Sequence, residues 1–320
     1  MKNTFIISLL FVLILFSCSK DSTENISPEA KSFLTEVLDI MEAYFIRKDQ
    51  VDWKDMRDKV FETVSNAKTI DDTYPGIKKA LILLNESHSY FIKPNGEYLF
   101  GVTKSCVAEK ATTPIVPSNI GYVKVSSFTD ASNSISAYNY ANEIQTQIRN
   151  SDNSAIVGWI IDLRGNGGGN MYPMLAGIGP LLGDGTAGSF VTVDNKITKW
   201  GYSSGGAFVG SYTLIQITNP YNILKPDPKI AILIDNKVAS SGEITAIAFI
   251  GKEKSKLFGS PSCGFTTANT TFSLSNKSIL VLTTSNVADR NGKTYGSSLI
   301  PDEIADNGTI ISKAIEWINN

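Results

Sequence analysis

Apolar residues at helical spacing open the patterned part of the chain. Phe33, Val37, Leu38, Met41 and Tyr44 fall three or four apart, as on one helix face, and Met56, Val60, Phe61 and Val64 repeat the pattern. Asp71-Asp72 reads as a helix start ahead of the apolar positions from Ile77 to Leu84. Residues 92–118, with Pro94, Asn95-Gly96, Pro114 and Pro117, read as a connector with room for a hairpin. The texture then changes. Ile120–Val125, Val157–Leu163, Lys229–Ile234 and Ser278–Thr284 are short apolar runs with the length of strands. Ser134–Arg149, Glu243–Ile250 and Ile310–Ile318 read as helices, and residues 183–228, rich in Gly, Ser, Thr and Pro, as extended arms and loops. Strands alternating with helices predict an α/β core behind a small N-terminal helical unit.

The start of the chain has a different character. Lys2 precedes an apolar run from Phe5 to Phe16, followed by Ser17-Cys18. Such a run is too short for the roughly 30 Å hydrocarbon layer, and reads as a secretory signal over 1–17. Leu15-Phe16-Ser17-Cys18 resembles a bacterial lipoprotein box, which implies lipidation of Cys18; ordinary cleavage nearby is the other reading. Residues 18–28 follow as a polar tether, 29–92 as the helical unit, 93–118 as the connector and 119–320 as the α/β core. The expected location is the bacterial cell envelope, with membrane contact only through the lipid.

Of the 320 residues, 42% are hydrophobic and 19% charged, enough apolar surface for a sizeable core. The net charge of −2 gives no electrostatic reason to expect a nucleic acid partner. Beyond Cys18 there remain Cys106 and Cys263, which could pair in an oxidising compartment or stay as buried thiols. Two cysteines and one histidine do not build a standard zinc site, and neither metal nor cofactor is expected.

Three segments carry candidate chemistry, and each has a plainer reading. The run Asp162-Leu163-Arg164-Gly165-Asn166-Gly167-Gly168-Gly169 follows a buried strand. Its glycines could bring backbone N–H groups to an oxyanion, or serve only as a tight turn. It lacks the phosphate-loop pattern. In Ala239-Ser240-Ser241-Gly242-Glu243, a serine stands at a strand-to-helix corner. That suits a nucleophile, but Ser240 and Glu243 also have capping-box spacing. Glu86-Ser87-His88-Ser89 holds the only histidine of the chain. A hydroxyl nucleophile needs such a base, although a lone histidine is more often a surface or capping residue.

Order and flanks sharpen these segments. Val51-Asp52-Trp53, Leu84–Ser89, Ile120-Gly121-Tyr122-Val123 with Phe128, the runs at 162–169 and 239–243, Gly259, Gly264 and Ile300-Pro301-Asp302 recur in one order. That layout resembles the tail-specific (carboxyl-terminal processing) protease family, and most of all its tricorn-type branch. The resemblance spans roughly residues 30 to 305 and implies a ClpP/crotonase-like ββα core. It implies a serine peptidase with Ser240 as nucleophile, His88 as base and Ser87 orienting the imidazole. Gly168, with Gly169, and the N–H of Ser241 would form the oxyanion hole. Gly264 and Phe265 would lie on the substrate side. The lysine base of the other branch has no counterpart here, because Phe265 stands at its position and Lys252 and Lys254 sit on a different segment.

One departure stands out. The tricorn-type branch has a glutamate before the Pro-Asp end, and Lys293-Thr294-Tyr295-Gly296-Ser297-Ser298 contains no carboxylate. The Tyr295 hydroxyl or Glu86 are the candidates to replace it. A PDZ insert also finds no room, since only 28 residues (positions 92–119) separate Phe91 from Ile120. Peptide or protein substrates would then be selected by the core and its arms. Two rival readings remain: a non-catalytic peptide- or glycan-binding lipoprotein on the same fold, and a thiol enzyme using Cys263 with His88.

Overall fold

A computed structural model describes residues 25–320. The signal segment, Cys18 and most of the expected tether lie outside the described residues. Three helices come first: α1 (Pro28–Tyr44), α2 (Trp53–Thr63) and α3 (Tyr74–Leu83). Ser27 caps α1 by accepting from the Ala30 N–H at 3.2 Å, and Asp52 caps α2 by accepting from the Asp55 N–H at 3.0 Å. Of the positions that show helical spacing in the sequence, Phe33, Val37, Leu38 and Met41 on α1 and Met56, Val60 and Phe61 on α2 are buried, whereas Tyr44 at the end of α1 is exposed.

The expected hairpin follows as β1 (Tyr90–Ile92) and β2 (Tyr98–Phe100). Next come β3 (Ile120–Lys124), α4 (Ile135–Ser151), β4 (Gly158–Asp162) and α5 (Met171–Leu182). The segment expected as arms and loops contains four strands: β5 (Gly185–Thr192), β6 (Ile197–Ser203), β7 (Gly206–Val209) and β8 (Tyr212–Gln216). The chain continues through β9 (Lys229–Ile234), α6 (Ser241–Ile247), β10 (Ser255–Gly259), β11 (Thr267–Ser273) and β12 (Ile279–Asp289). It ends in β13 (Thr294–Tyr295), β14 (Glu303–Ile304) and α7 (Ile310–Asn319).

Two sheets result. A parallel sheet runs β14-β10-β9-β4-β3 and is covered on both faces, which explains why β4 and β9 read as continuous apolar runs. Its cores are built with α4, α5 and α6 on one side and α7 on the other. An antiparallel sheet runs β2-β1-β12-β5-β6-β7-β8, with β11 and β13 on the second edge of β12. Phe91, Leu280 and Leu282 on one face of this sheet join α1 to α3 in a separate core. β12 is the seam: it extends beyond the expected Thr284 because β5 and β13 pair with its last residues.

Cys106 and Cys263 form a disulfide, with Cα atoms 5.4 Å apart, and this fastens the connector to the segment after β10. The thiol-enzyme reading falls here, because the Cys263 sulfur is already bonded.

Candidate active site

The geometry at Ser240 begins with the turn after β9. Ser240 stands at the N-terminus of α6 with φ 52° and ψ −121°, left-handed backbone that a non-glycine residue adopts only under constraint. Two anchors hold it there. The Ser240 N–H donates to Glu243 Oε2 at 2.8 Å, and the Ala239 N–H donates to the Asn166 carbonyl at 3.0 Å. Glu243 does more than cap. Its buried carboxylate also accepts from the Gly264 N–H and the Phe265 N–H, each at 2.7 Å, and from the Ser262 hydroxyl. Burial pushes its carboxyl up, and these donors pull it back toward the charged form.

The glycine-rich block wraps the other side. Asp162 forms a buried pair with Arg164 at 2.8 Å and accepts from the Tyr122 hydroxyl at 2.9 Å, which sets the exit of β4. Asn166 then folds the turn back on itself, its Oδ1 accepting from the Gly168 N–H at 2.9 Å and its Nδ2 donating to the Val125 carbonyl at 3.1 Å. The Ser241 hydroxyl ties the two loops together through the Gly169 carbonyl at 2.7 Å.

His88 arrives from the segment between α3 and β1. Glu86 accepts from the backbone N–H groups of His88 and Ser89, each at 2.8 Å, and the Asn269 side chain donates to the His88 carbonyl at 2.9 Å. The imidazole so fixed lies with Nε2 at 3.0 Å from Ser240 Oγ, across 152 positions of sequence. Its Nδ1 lies 2.8 Å from Thr267 Oγ1 at the start of β11, and the Phe265 ring packs beside it at 5.0 Å between centroids. For Nε2 to accept the serine proton, Nδ1 carries the hydrogen and donates to Thr267.

Ser240, His88, Ser87, Ser241, Gly169 and Phe265 line one cavity of about 790 Å³. Gly168 packs directly against Ser240 and Ser241, and several expected residues have their polar groups engaged in other ways. The Gly168 N–H is engaged by Asn166, so the N–H groups beside Ser240 that no hydrogen bond occupies among the described residues belong to Ser241 and Gly169. Ser87 makes no hydrogen bond to the ring, because Thr267 takes the Nδ1 position. Gly264 points its N–H inward to Glu243. Tyr295 donates its hydroxyl to Asp289 at 2.9 Å and borders a different cavity. Glu86 is spent on backbone N–H groups, although its charge still favours the imidazolium. Thr267 is the residue that sequence pattern missed.

Burial pushes the His88 imidazole from 6.5 down to about 4. An imidazole must be neutral to accept a proton, and this ring is almost wholly neutral from about pH 5 upward. Labelling of Ser240 by an organophosphorus probe is therefore expected to stay level from pH 8 to about pH 5 and to reach half its rate near pH 4. A half-point near 6.5 would mean that the ring titrates in water rather than in this pocket.

The fold is the mixed α/β architecture of carboxyl-terminal processing proteases. The photosystem II D1 C-terminal processing protease superimposes with a TM-score of 0.61 at 14% identity, over 92% of this chain and 97% of that one. A lipoprotein from Streptococcus agalactiae superimposes with a TM-score of 0.72 at 21% identity, over 92% of this chain and 97% of that one. The nisin-resistance protein of Lactococcus lactis subsp. lactis is 31% identical over 295 residues, 92% of this chain and 89% of the relative. Residues 119–305 match the family model of peptidase family S41. The chain belongs to peptidase family S41.

Proposed function

We propose that this S41 family member is an active serine peptidase of the tricorn-type branch, with Ser240 as nucleophile and His88 as general base. The observation that carries the reading is the 3.0 Å approach of His88 Nε2 to Ser240 Oγ at the wall of a peptide-sized cavity. Ser240 Oγ attacks the scissile carbonyl while its proton passes to Nε2. The developing oxyanion takes hydrogen bonds from the Ser241 and Gly169 N–H groups, each such donor being worth about 3 kcal/mol in related sites. His88 then returns the proton to the leaving amine. Water, activated by the same ring, hydrolyses the acyl-enzyme.

Thr267 stands where a carboxylate would ordinarily hold the base. A neutral hydroxyl fixes the tautomer but stabilises the imidazolium less than an anion would. That single feature favours the second reading, a binding protein that has kept the fold without turnover. Both readings share a peptide ligand outside the cytoplasm, with the chain held to the envelope through Cys18. Among the described residues no helix is long and apolar enough to cross a membrane. One relative carries the name nisin-resistance protein, and a part in resistance to nisin belongs to the proposal for this chain as well.

The deciding experiment incubates the purified protein with a fluorophosphonate at pH 7 and maps the adduct by peptide mass spectrometry. One phosphonyl group on Ser240 is the expected result. No adduct, or an adduct on another residue, refutes the catalytic assignment.

A further inference from the structure

The antiparallel sheet has one face under α1 to α3; the other packs on α5 and α6 along β5 to β8 and the end of β12, and leaves the rings of its β2 end exposed. A cross-strand row on the second face is set by pairing: Thr271 opposite Val281, Val281 opposite Tyr90, and Tyr90 opposite Phe100. Residues paired in this way project to the same side of a sheet. All four line the cavity that holds Ser240 and His88. The row therefore continues the catalytic cavity outward over the sheet, and Tyr90 follows His88 by only two residues.

At the outer end of the row three rings meet. Tyr90 lies 5.7 Å from Tyr98 and 5.7 Å from Phe100, and Tyr98 and Phe100 stack at 5.9 Å with planes 10° apart. Rings in a core of this kind would be covered, yet Tyr98 is 53% exposed and Phe100 43% exposed. β2 is the outer strand of the sheet, and its one inward-facing residue, Leu99, already packs on the helical unit. The exposed rings thus have no structural work on their own side of the sheet. Lys237 is the one charged side chain lining the cavity, so its walls offer no carboxylate to a cationic group.

We propose that the Tyr90–Tyr98–Phe100 cluster is a substrate subsite that takes a large apolar or aromatic side chain of the peptide whose backbone reaches Ser240. The inference rests on the peptidase reading for its occupant, and continuity with the Ser240 cavity supplies the connection. Ring-on-ring contact gives such a subsite preference for Phe, Tyr or Trp over polar residues of similar size. Through this cluster the enzyme selects peptides by a residue at a fixed distance from the cleaved bond.

Binding and turnover test the inference separately. In a Ser240→Ala background, fluorescein-labelled peptides differing only by Phe or Ser at one position are titrated by polarisation. The aromatic peptide is expected to bind about tenfold more tightly, and Tyr98→Ser with Phe100→Ser to erase that difference. Both residues are exposed, so the fold should persist, as an unchanged melting temperature checks. With Ser240 restored, the same pair of substitutions should lower kcat/KM for the Phe peptide about tenfold and bring it level with the Ser peptide. An aromatic preference that survives both substitutions, or no preference at any position, overturns the subsite. Preference without labelling of the wild type keeps the subsite and refutes turnover instead.

Discussion

Ser240→Ala and His88→Ala are each expected to lower peptide turnover by about 10⁴-fold or more, and the double substitution to cost little beyond either one. The reason is that in the proposed mechanism the pair acts as a unit. Without its base the hydroxyl is a poor nucleophile at neutral pH, and without the hydroxyl the ring has nothing to activate. The Ser240 hydroxyl and His88 Nε2 meet at the wall of the cavity, where water can take the place of the removed hydroxyl. The strained backbone at φ 52° is equally available to alanine. The folded state should accordingly change by less than about 1 kcal/mol, and the loss of activity should come with an almost unaltered melting curve. Steady-state kinetics on one cleaved peptide read this directly. Additive losses, each small and multiplying in the double variant, would mean that the two side chains serve separate steps and that their 3.0 Å contact is incidental.

The parts of the molecule that were legible in sequence are those with a local signature. β4 and β9 are buried on both faces, so their apolar runs announce strands without reference to any partner. His88 and Ser240 were legible because each lies in a short block with characteristic flanks. Thr267 was not. It reaches His88 over 179 positions from an edge strand, in a run of threonines, alanine and asparagine that carries strand propensity and nothing more. Tyr295 failed for the complementary reason. Its segment is where the resembled family carries a carboxylate, but β13 pairs with β12 at Val287, and this register gives the hydroxyl to Asp289. Gly168 and Gly169 are indistinguishable as letters. Which N–H is left open depends on the return of the Asn166 side chain, a tertiary detail. The connector reads as a loop in sequence, and only its disulfide reveals that it is fastened beside the site.

Glu243 shows how a local motif can hide a wider role, and its replacement is the other change with a large expected effect. Capping-box spacing accounts for its bond to the Ser240 N–H, but the same carboxylate also takes the Gly264 and Phe265 N–H groups and the Ser262 hydroxyl. It thereby joins the Ser240 turn to the segment carrying the disulfide and the ring beside His88. In Glu243→Ala these donors lose their acceptor in a place closed to water, since Glu243 is 0% exposed. Leaving buried polar groups of this kind unpaired costs about 3 kcal/mol or more in total, and the Ser240 turn has no other side chain to hold its left-handed backbone. The expected result is a lower urea midpoint at unchanged slope, together with loss of fluorophosphonate labelling. Glu243→Gln separates charge from shape. The amide keeps one accepting oxygen but turns an –NH₂ toward two of the donors, whichever way it lies. Its stability should fall between wild type and the alanine variant, and labelling should weaken without vanishing. Wild-type stability in Glu243→Ala would mean that the loops around Ser240 hold their shape without the carboxylate, and that its four bonds follow from the turn rather than create it.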